Sequence, residues 1–181
     1  FDVSNSESCS GAVENIVKEF SRLDILVNNA GISIDGLIMR FKDDDWDKTI
    51  DTNLKGPFAL IRAASRPMMK QKFGSIVNVS SVLGSLHLNA DLNAQLGDWR
   101  SFGYNGSKAA LNMFTTTLAF ELKDTPIKVN SAHPGWVKTD LGGEGASLEV
   151  ADGARTSVRL ATLPVDGPTG GFFHMNDALS W

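Results

Sequence analysis

The sequence predicts an α/β fold, a doubly wound parallel sheet with helices on both faces, and three observations carry that prediction. Short, β-rich apolar runs alternate with longer segments whose apolar residues recur at helical spacing. Strands that alternate with helices in this way form βαβ units, and these build a parallel sheet. No internal repeat, low-complexity tract or linker interrupts the pattern, so residues 1–181 read as one domain.

From Ser6 to Phe20, Val13, Ile16, Val17 and Phe20 mark a helix, followed by a strand run from Leu23 to Val27 that stops at Asn28-Asn29-Ala30-Gly31. A charged stretch from Lys42 to Asp47 leads into a long helix through Trp46, Ile50, Leu54, Phe58 and Ile61. Pro67 is expected in a turn or kink, since proline lacks the N–H a helix interior needs, with a further helical piece ending near Gly74. Ser75 to Val79 is the next strand, ending on Ser80-Ser81. The polar segment from Gly84 to Phe102 reads as an exposed loop. Tyr104 to Leu122 reads as a helix closed by Pro126, Ile127 to Ser131 as a strand ending at Pro134-Gly135, Leu148 to Leu160 as a last helix, and Gly170 to His174 as a short final strand. The opening Phe1-Asp2-Val3-Ser4 reads as the tail of a strand, and we expect sequence upstream of it.

Composition narrows the function. A formal charge of −4 offers no electrostatic footprint for nucleic acid or an anionic membrane. No apolar run approaches the ~20 residues of a membrane span. The single Cys9 excludes an internal disulfide framework and suits a cytoplasmic location, although a leader upstream of Phe1 would alter that. His87, His133 and His174 are scattered without metal-ligand spacing, so no metal site is expected.

The chemistry starts at the one tyrosine. Tyr104 stands four positions before Lys108, a spacing that puts phenol and ammonium on one helix face. A free phenol titrates near ~10, and a nearby positive charge favours the phenolate. Taken alone, the pair more often means a half-buried tyrosine beside a solvated lysine, since such pairs are common on helices. What lifts it is the company it keeps. Ligands of an open α/β sheet bind beyond the carboxyl ends of its strands, and Asn29-Ala30-Gly31, Ser80-Ser81 and Pro134-Gly135 all fall there.

With Asp51-Thr52-Asn53, Asn78-Val79-Ser80-Ser81, Tyr104-x-x-x-Lys108 and Pro134-Gly135-x-Val137-x-Thr139 in order, the chain resembles the classical short-chain dehydrogenase/reductase family over essentially its whole length. The resemblance implies a Rossmann-like fold and a catalytic tetrad of Asn53, Ser81, Tyr104 and Lys108. Tyr104 would be the general acid or base, and Ser81 the donor to the substrate oxygen. Lys108 would lower the phenol pKa and hold the nicotinamide ribose; Asn53 would anchor a water linking Lys108 to solvent. Asp2, Asn29, Ala30, Gly31, Tyr104, Lys108, Pro134, Gly135, Val137 and Thr139 would contact NADP or NAD, with NADPH preferred.

The chain departs from the family pattern in three ways. No glycine-rich turn precedes Asn28, so the first strands and the phosphate-binding turn are expected to be missing, which leaves an apolar strand edge that favours homo-oligomers. Ser81 and Tyr104 are 23 positions apart, more than usual in the family, the excess lying around Asn89 to Arg100. Up to about Gly84 the sequence looks most like 3-oxoacyl-carrier-protein reductases, and beyond it more like carbonyl reductases. The expected activity is reduction of an aldehyde or ketone, or oxidation of a secondary alcohol. The alternatives are a 3-oxoacyl-carrier-protein reductase of fatty acid synthesis and a non-catalytic dinucleotide-fold fragment.

Overall fold

The computed structural model describes residues 1–91 and 101–181. Its sheet has the order β1-β2-β3-β4-β5, with β1 (Ile25–Asn28), β2 (Gly74–Val79), β3 (Ile127–Ala132) and β4 (Phe172–His174) parallel and β5 (Asp177–Ala178) antiparallel to β4. The helices are α1 (Ser6–Phe20), α2 (Asp43–Ile50), α3 (Gly56–Gln71), α4 (Leu86–Ala90), α5 (Phe102–Glu121) and α6 (Val150–Ala161).

Side chains alternate across a strand, and β2 uses both faces. Ile76 joins Val13, Leu60, Met68 and Leu122 in the larger core, beneath α1, α3 and α5. Its neighbour Val77 packs with Ala132 and Leu160 of α6 on the opposite face. Ile76 and Val77 are fully buried, and burying a side chain of this size contributes about 1.5–3 kcal/mol. The expected doubly covered sheet is thus present.

Four local expectations differ from the structure. Phe1 to Asn5 is no strand: Asp2 accepts hydrogen bonds from Ser4 N (2.9 Å) and Ser4 Oγ (2.8 Å), and this folds the segment into a turn that leads into α1. Pro67 lies inside α3 without ending it. Ala64 and Met68, both fully buried, anchor the helix on either side of the proline, and that packing offsets the missing N–H bond. The long helix is not uniform, because a π-helical turn at Asp51–Lys55 separates α2 from α3. Finally, Gly84 to Ala90 is partly helical; the rest of the segment, where the extra length around Asn89 to Arg100 lies, falls mainly outside the described residues.

Beside β1 runs a groove of about 330 Å³, lined by Val13, Ile16, Leu26, Asn28, Pro57 and Leu60 among others. Ile25 and Val27 stand about 40% exposed on this edge. Among the described residues no helix is long and apolar enough to cross a membrane, and no cluster of His, Cys, Asp or Glu is placed to hold a metal.

Candidate active site

β1, β2 and β3 are adjacent and parallel, so the segments that follow them emerge on one edge of the sheet. Asn29 to Gly31, Ser80-Ser81 and Pro134 to Thr139 therefore share that edge. α5 supplies Tyr104 and Lys108 from its first two turns.

Tyr104 is half-buried, and its phenol hydrogen-bonds the Ser81 side chain. Ser81 is 7% exposed, and its Oγ also accepts from Leu83 N at 3.2 Å, capping the short turn at Val82–Gly84. That bond fixes the hydroxyl and leaves its O–H free to donate. Lys108 is 4% exposed; its Nζ donates to Val79 O at 2.8 Å and lies 5.5 Å from the centroid of the Tyr104 ring. The strand carbonyl thus aims the ammonium beneath the phenol.

The charges behave differently from the simple pair rule. Burial holds the Lys108 ammonium down at about 8, against an ordinary 10.5. Burial also pushes the Tyr104 phenol above its ordinary value, and the bond to Ser81 pulls it back in part. The expected lowering of the phenol by Lys108 is therefore outweighed, in the protein without ligand, by desolvation of the phenolate. A phenol held in its acid form is what proton donation to a carbonyl oxygen requires.

The Asn53 side chain is bonded on all sides. Its Oδ1 accepts from Ile32 N (2.8 Å), and its Nδ2 donates to Ile32 O (2.9 Å) and to Ser107 Oγ (3.0 Å). Both N–H groups of the amide are thus occupied within the protein. The side chain clamps the loop after Gly31 to α5. The π-helical turn turns Asn53 inward, fully buried, and π-bulges of this sort recur at functional sites.

The donor set fits the nicotinamide-ribose half of a dinucleotide. Val79 O takes one of the three Lys108 donors, which leaves two for hydroxyl groups. A Cβ on Gly31 would stand 3.4 Å from Lys108 Nζ and 3.5 Å from Asn53 Oδ1, so its absence keeps a cradle open beside the ammonium. Gly135 adopts φ +85°, a conformation other residues rarely take. Val137 pairs with Leu148 as an isolated bridge, and exposed Thr139 accepts from Gly142 N. Asn29 and Ala30 are exposed and line the groove beside β1; Ser81, Tyr104 and Lys108 do not reach it. Asp2 is exposed, its carboxylate engaged by Ser4 and held below its ordinary range by those hydrogen bonds.

Sequence reasoning passed over Ser107, whose hydroxyl accepts from Asn53 and donates to Tyr104 O at 2.7 Å. Its position directly before Lys108 was the available signal. It also passed over Gly84, against which the backbone of α5 packs at Lys108.

A half-buried histidine follows β3, immediately before Pro134. His133 is held at about 4 by burial and by the nearby His174, its ring 5.0 Å away centroid to centroid. The unfolded chain takes up this proton near 6.5, whereas the folded protein refuses it until about 4. Stability is therefore complete above pH 6.5 and is lost as pH falls through that window. We expect His133 to account for roughly 2 kcal/mol of lost stability between pH 7 and 5. Urea unfolding at both pH values checks this: His133→Asn should flatten the dependence, and an unchanged slope would refute it.

The comparisons with known proteins bear on this geometry. A family model described as short chain dehydrogenase matches residues 1–147. The chain belongs to the short chain dehydrogenase family. The family comprises NAD(P)-dependent oxidoreductases, in agreement with the resemblance read from the motifs. Among its relatives, the 3-oxoacyl-[acyl-carrier-protein] reductase FabG of Salmonella typhimurium is 36% identical over 180 residues, covering 99% of this chain and 67% of that protein. The corresponding enzyme of Synechocystis is 38% identical over 140 residues, covering 77% of this chain and 53% of that one. This chain thus matches between about half and two thirds of the length of these relatives. Among solved structures, carbonyl reductase Sniffer of D. melanogaster superposes with a TM-score of 0.86 at 29% identity, covering 100% of this chain and 76% of that one. An NADPH-bound carbonyl reductase from chicken fatty liver gives 0.85 at 27% identity, covering 100% and 75%.

Proposed function

We propose that this short chain dehydrogenase reduces an aldehyde or ketone with NADPH or NADH, or oxidises a secondary alcohol in the reverse direction. The observation that carries this reading is the joint placement of three groups: a half-buried phenol beside the Ser81 side chain, with the Lys108 ammonium pinned to Val79 O beneath it. When bound, the nicotinamide cofactor supplies the hydride, and the protein supplies orientation and protons.

The substrate carbonyl oxygen sits between the Ser81 hydroxyl and the Tyr104 phenol. Ser81 donates a hydrogen bond to the oxygen as negative charge develops on it. Tyr104 transfers its proton to that oxygen as the new C–H bond forms at the carbon, and it is left as a phenolate. Lys108, whose ammonium titrates near 8, stabilises that phenolate and returns it a proton, and the neutral amine left behind takes up a proton from solvent to restore the ammonium. Asn53 holds the loop at Ile32 against α5 so that Gly31 stays open to the ribose. Asn29, Ala30, Pro134, Gly135, Val137 and Thr139 flank the cofactor, and Asp2 lies at its adenine side.

NADPH is the preferred form, a choice supported by the NADPH-bound chicken carbonyl reductase. A cytoplasmic location fits the reduced, buried Cys9. The exposed apolar edge of β1 favours self-association.

A second substrate reading has a specific observation behind it. The two named sequence relatives are 3-oxoacyl-[acyl-carrier-protein] reductases, although the two named solved structures are carbonyl reductases. NADPH oxidation measured with a carrier-linked 3-ketoacyl substrate and with simple aldehydes separates the two. Preference for free aldehydes and ketones supports the carbonyl reductase reading, preference for the carrier-linked substrate supports the other, and no turnover of either contradicts both.

A further inference from the structure

We propose that Thr115 is a positioning residue: its hydroxyl ties the catalytic helix directly to β2 and β3, and through Asn78 to β1, and so sets where Tyr104 and Lys108 stand. The proposal rests on the function proposed above. Thr115 is fully buried and lies 11 positions beyond Tyr104 and seven beyond Lys108, which puts all three on one face of α5.

Its Oγ1 stands at the centre of a buried polar rung. Asn28 Nδ2 of β1 donates to Asn78 Oδ1 of β2 at 2.8 Å, and Asn78 Nδ2 donates to Thr115 Oγ1 at 2.9 Å. Thr115 Oγ1 and Ser131 Oγ of β3 are 2.8 Å apart, and Thr115 Oγ1 is 3.2 Å from Leu111 O within α5. Asn28, Asn78 and Ser131 are each at most 4% exposed. A buried network of this kind specifies one arrangement, because any displacement leaves a polar group unpaired in a dry interior.

The rung also lies one step beneath the site. Asn28 immediately precedes Asn29 to Gly31; Asn78 precedes Val79, whose carbonyl holds Lys108, and then Ser80-Ser81; Ser131 stands three positions before Pro134. One hydroxyl on the helix therefore registers the roots of all three loops against the catalytic pair. Hydrophobic packing alone would hold α5 down, but it is non-directional and would leave the helix free to slide or roll. Catalytic rates are sensitive to such shifts, a displacement of ~1 Å being able to cost about 10²-fold.

The test is Thr115→Val in the full-length protein, which keeps the shape and removes the hydroxyl. Thr156→Val serves as the control, since Thr156 is equally buried on α6 and loses one hydrogen bond, from Met175 N. We expect Thr115→Val to lower kcat about tenfold with KM nearly unchanged, Thr115→Ser to restore it, and Thr156→Val to lower the melting temperature without lowering kcat. Equal kcat effects in the two valine variants, or an unaffected kcat in Thr115→Val, would overturn the proposal. Should Thr115→Val not fold, Ser131→Ala takes its place, expected to lower kcat a few-fold and overturning the proposal if kcat is unchanged. A parent protein that turns over no carbonyl contradicts the proposed function, not the rung. The NMR signal of Tyr104 then decides: it should shift in Thr115→Val and stay in place in Thr156→Val, and the opposite pattern refutes the tie.

Discussion

Replacing Tyr104 by Phe is expected to lower kcat by about 10²- to 10⁴-fold, the usual contribution of a positioned acid or base. The change removes one oxygen, and with it the proton that must reach the carbonyl oxygen as the hydride arrives. Ser81 can still polarise the carbonyl, because its Oγ remains fixed by Leu83 N, so a residual rate should survive. Cofactor affinity should change little, since Lys108 keeps its bond to Val79 O. Stability should also change little, since the lost phenol–Ser81 interaction contributes about 1 kcal/mol. Steady-state kinetics with cofactor titration check this pattern. Undiminished turnover in the variant would end the assignment of Tyr104 as the acid.

Gly84→Ala is the second change with a large expected effect, and it touches no substrate. A Cβ at Gly84 would stand 2.6 Å from the carbonyl carbon of Lys108, 2.7 Å from its Cβ and 2.8 Å from Ala109 N. These are backbone and near-backbone atoms, with no flexible end to swing away, so either the turn at Val82–Gly84 or α5 itself must move. Overpacking of this kind costs about 1–3 kcal/mol. The turn carries Ser81 and the helix carries Tyr104 and Lys108, so movement of either spoils the geometry between them. We expect kcat to fall about 10- to 100-fold and the melting temperature to drop. Gly106 provides the comparison on the same helix: nothing stands within 4 Å of its would-be Cβ, and alanine is the better helix former by about 1 kcal/mol. Gly106→Ala should therefore stabilise the protein. If Gly84→Ala behaves like Gly106→Ala, the close approach at Lys108 is not what positions the site.

Most of the architecture could be read from periodicity, because strands buried on both faces and helices with an apolar stripe leave distinct patterns. The helix at Ser6–Phe20 and the strands around Ile25, Ile76 and Val129 were legible for that reason. The features that were not legible have physical causes. Pro67 was expected to break the helix because proline removes a hydrogen bond, but the burial of Ala64 and Met68 is a tertiary effect with no local signature. β5 is only two residues long and follows a turn in which Met175, not glycine, takes a positive φ of 50°. The π-helical turn at Asp51–Lys55 has no compositional mark, and Asn53 could not be known to face Ile32 and Ser107 without it.

At the site, residue types and order were visible, because each strand end carries its own short motif and the sheet brings the motifs together. The balance of electrostatic effects was not. A lysine four residues from a tyrosine argues for an acidified phenol only while both stay near water. Here Lys108 and Tyr104 are withdrawn from it, and desolvation moves each group toward its neutral form. Thr115 escaped notice because nothing in its local sequence distinguishes a structural hydroxyl from one that aligns a helix, whereas Ser107 had only its place beside Lys108 to mark it.

Because Tyr104 is the only tyrosine, ¹³Cζ-tyrosine labelling gives a single NMR resonance that reports the phenol directly. Followed from neutral pH upward in the protein without cofactor, that resonance should titrate above the ordinary tyrosine value, and Ser81→Ala should move the titration higher still. A resonance that titrates at the free-tyrosine value and ignores the loss of the Ser81 hydroxyl would contradict a buried, serine-bonded phenol.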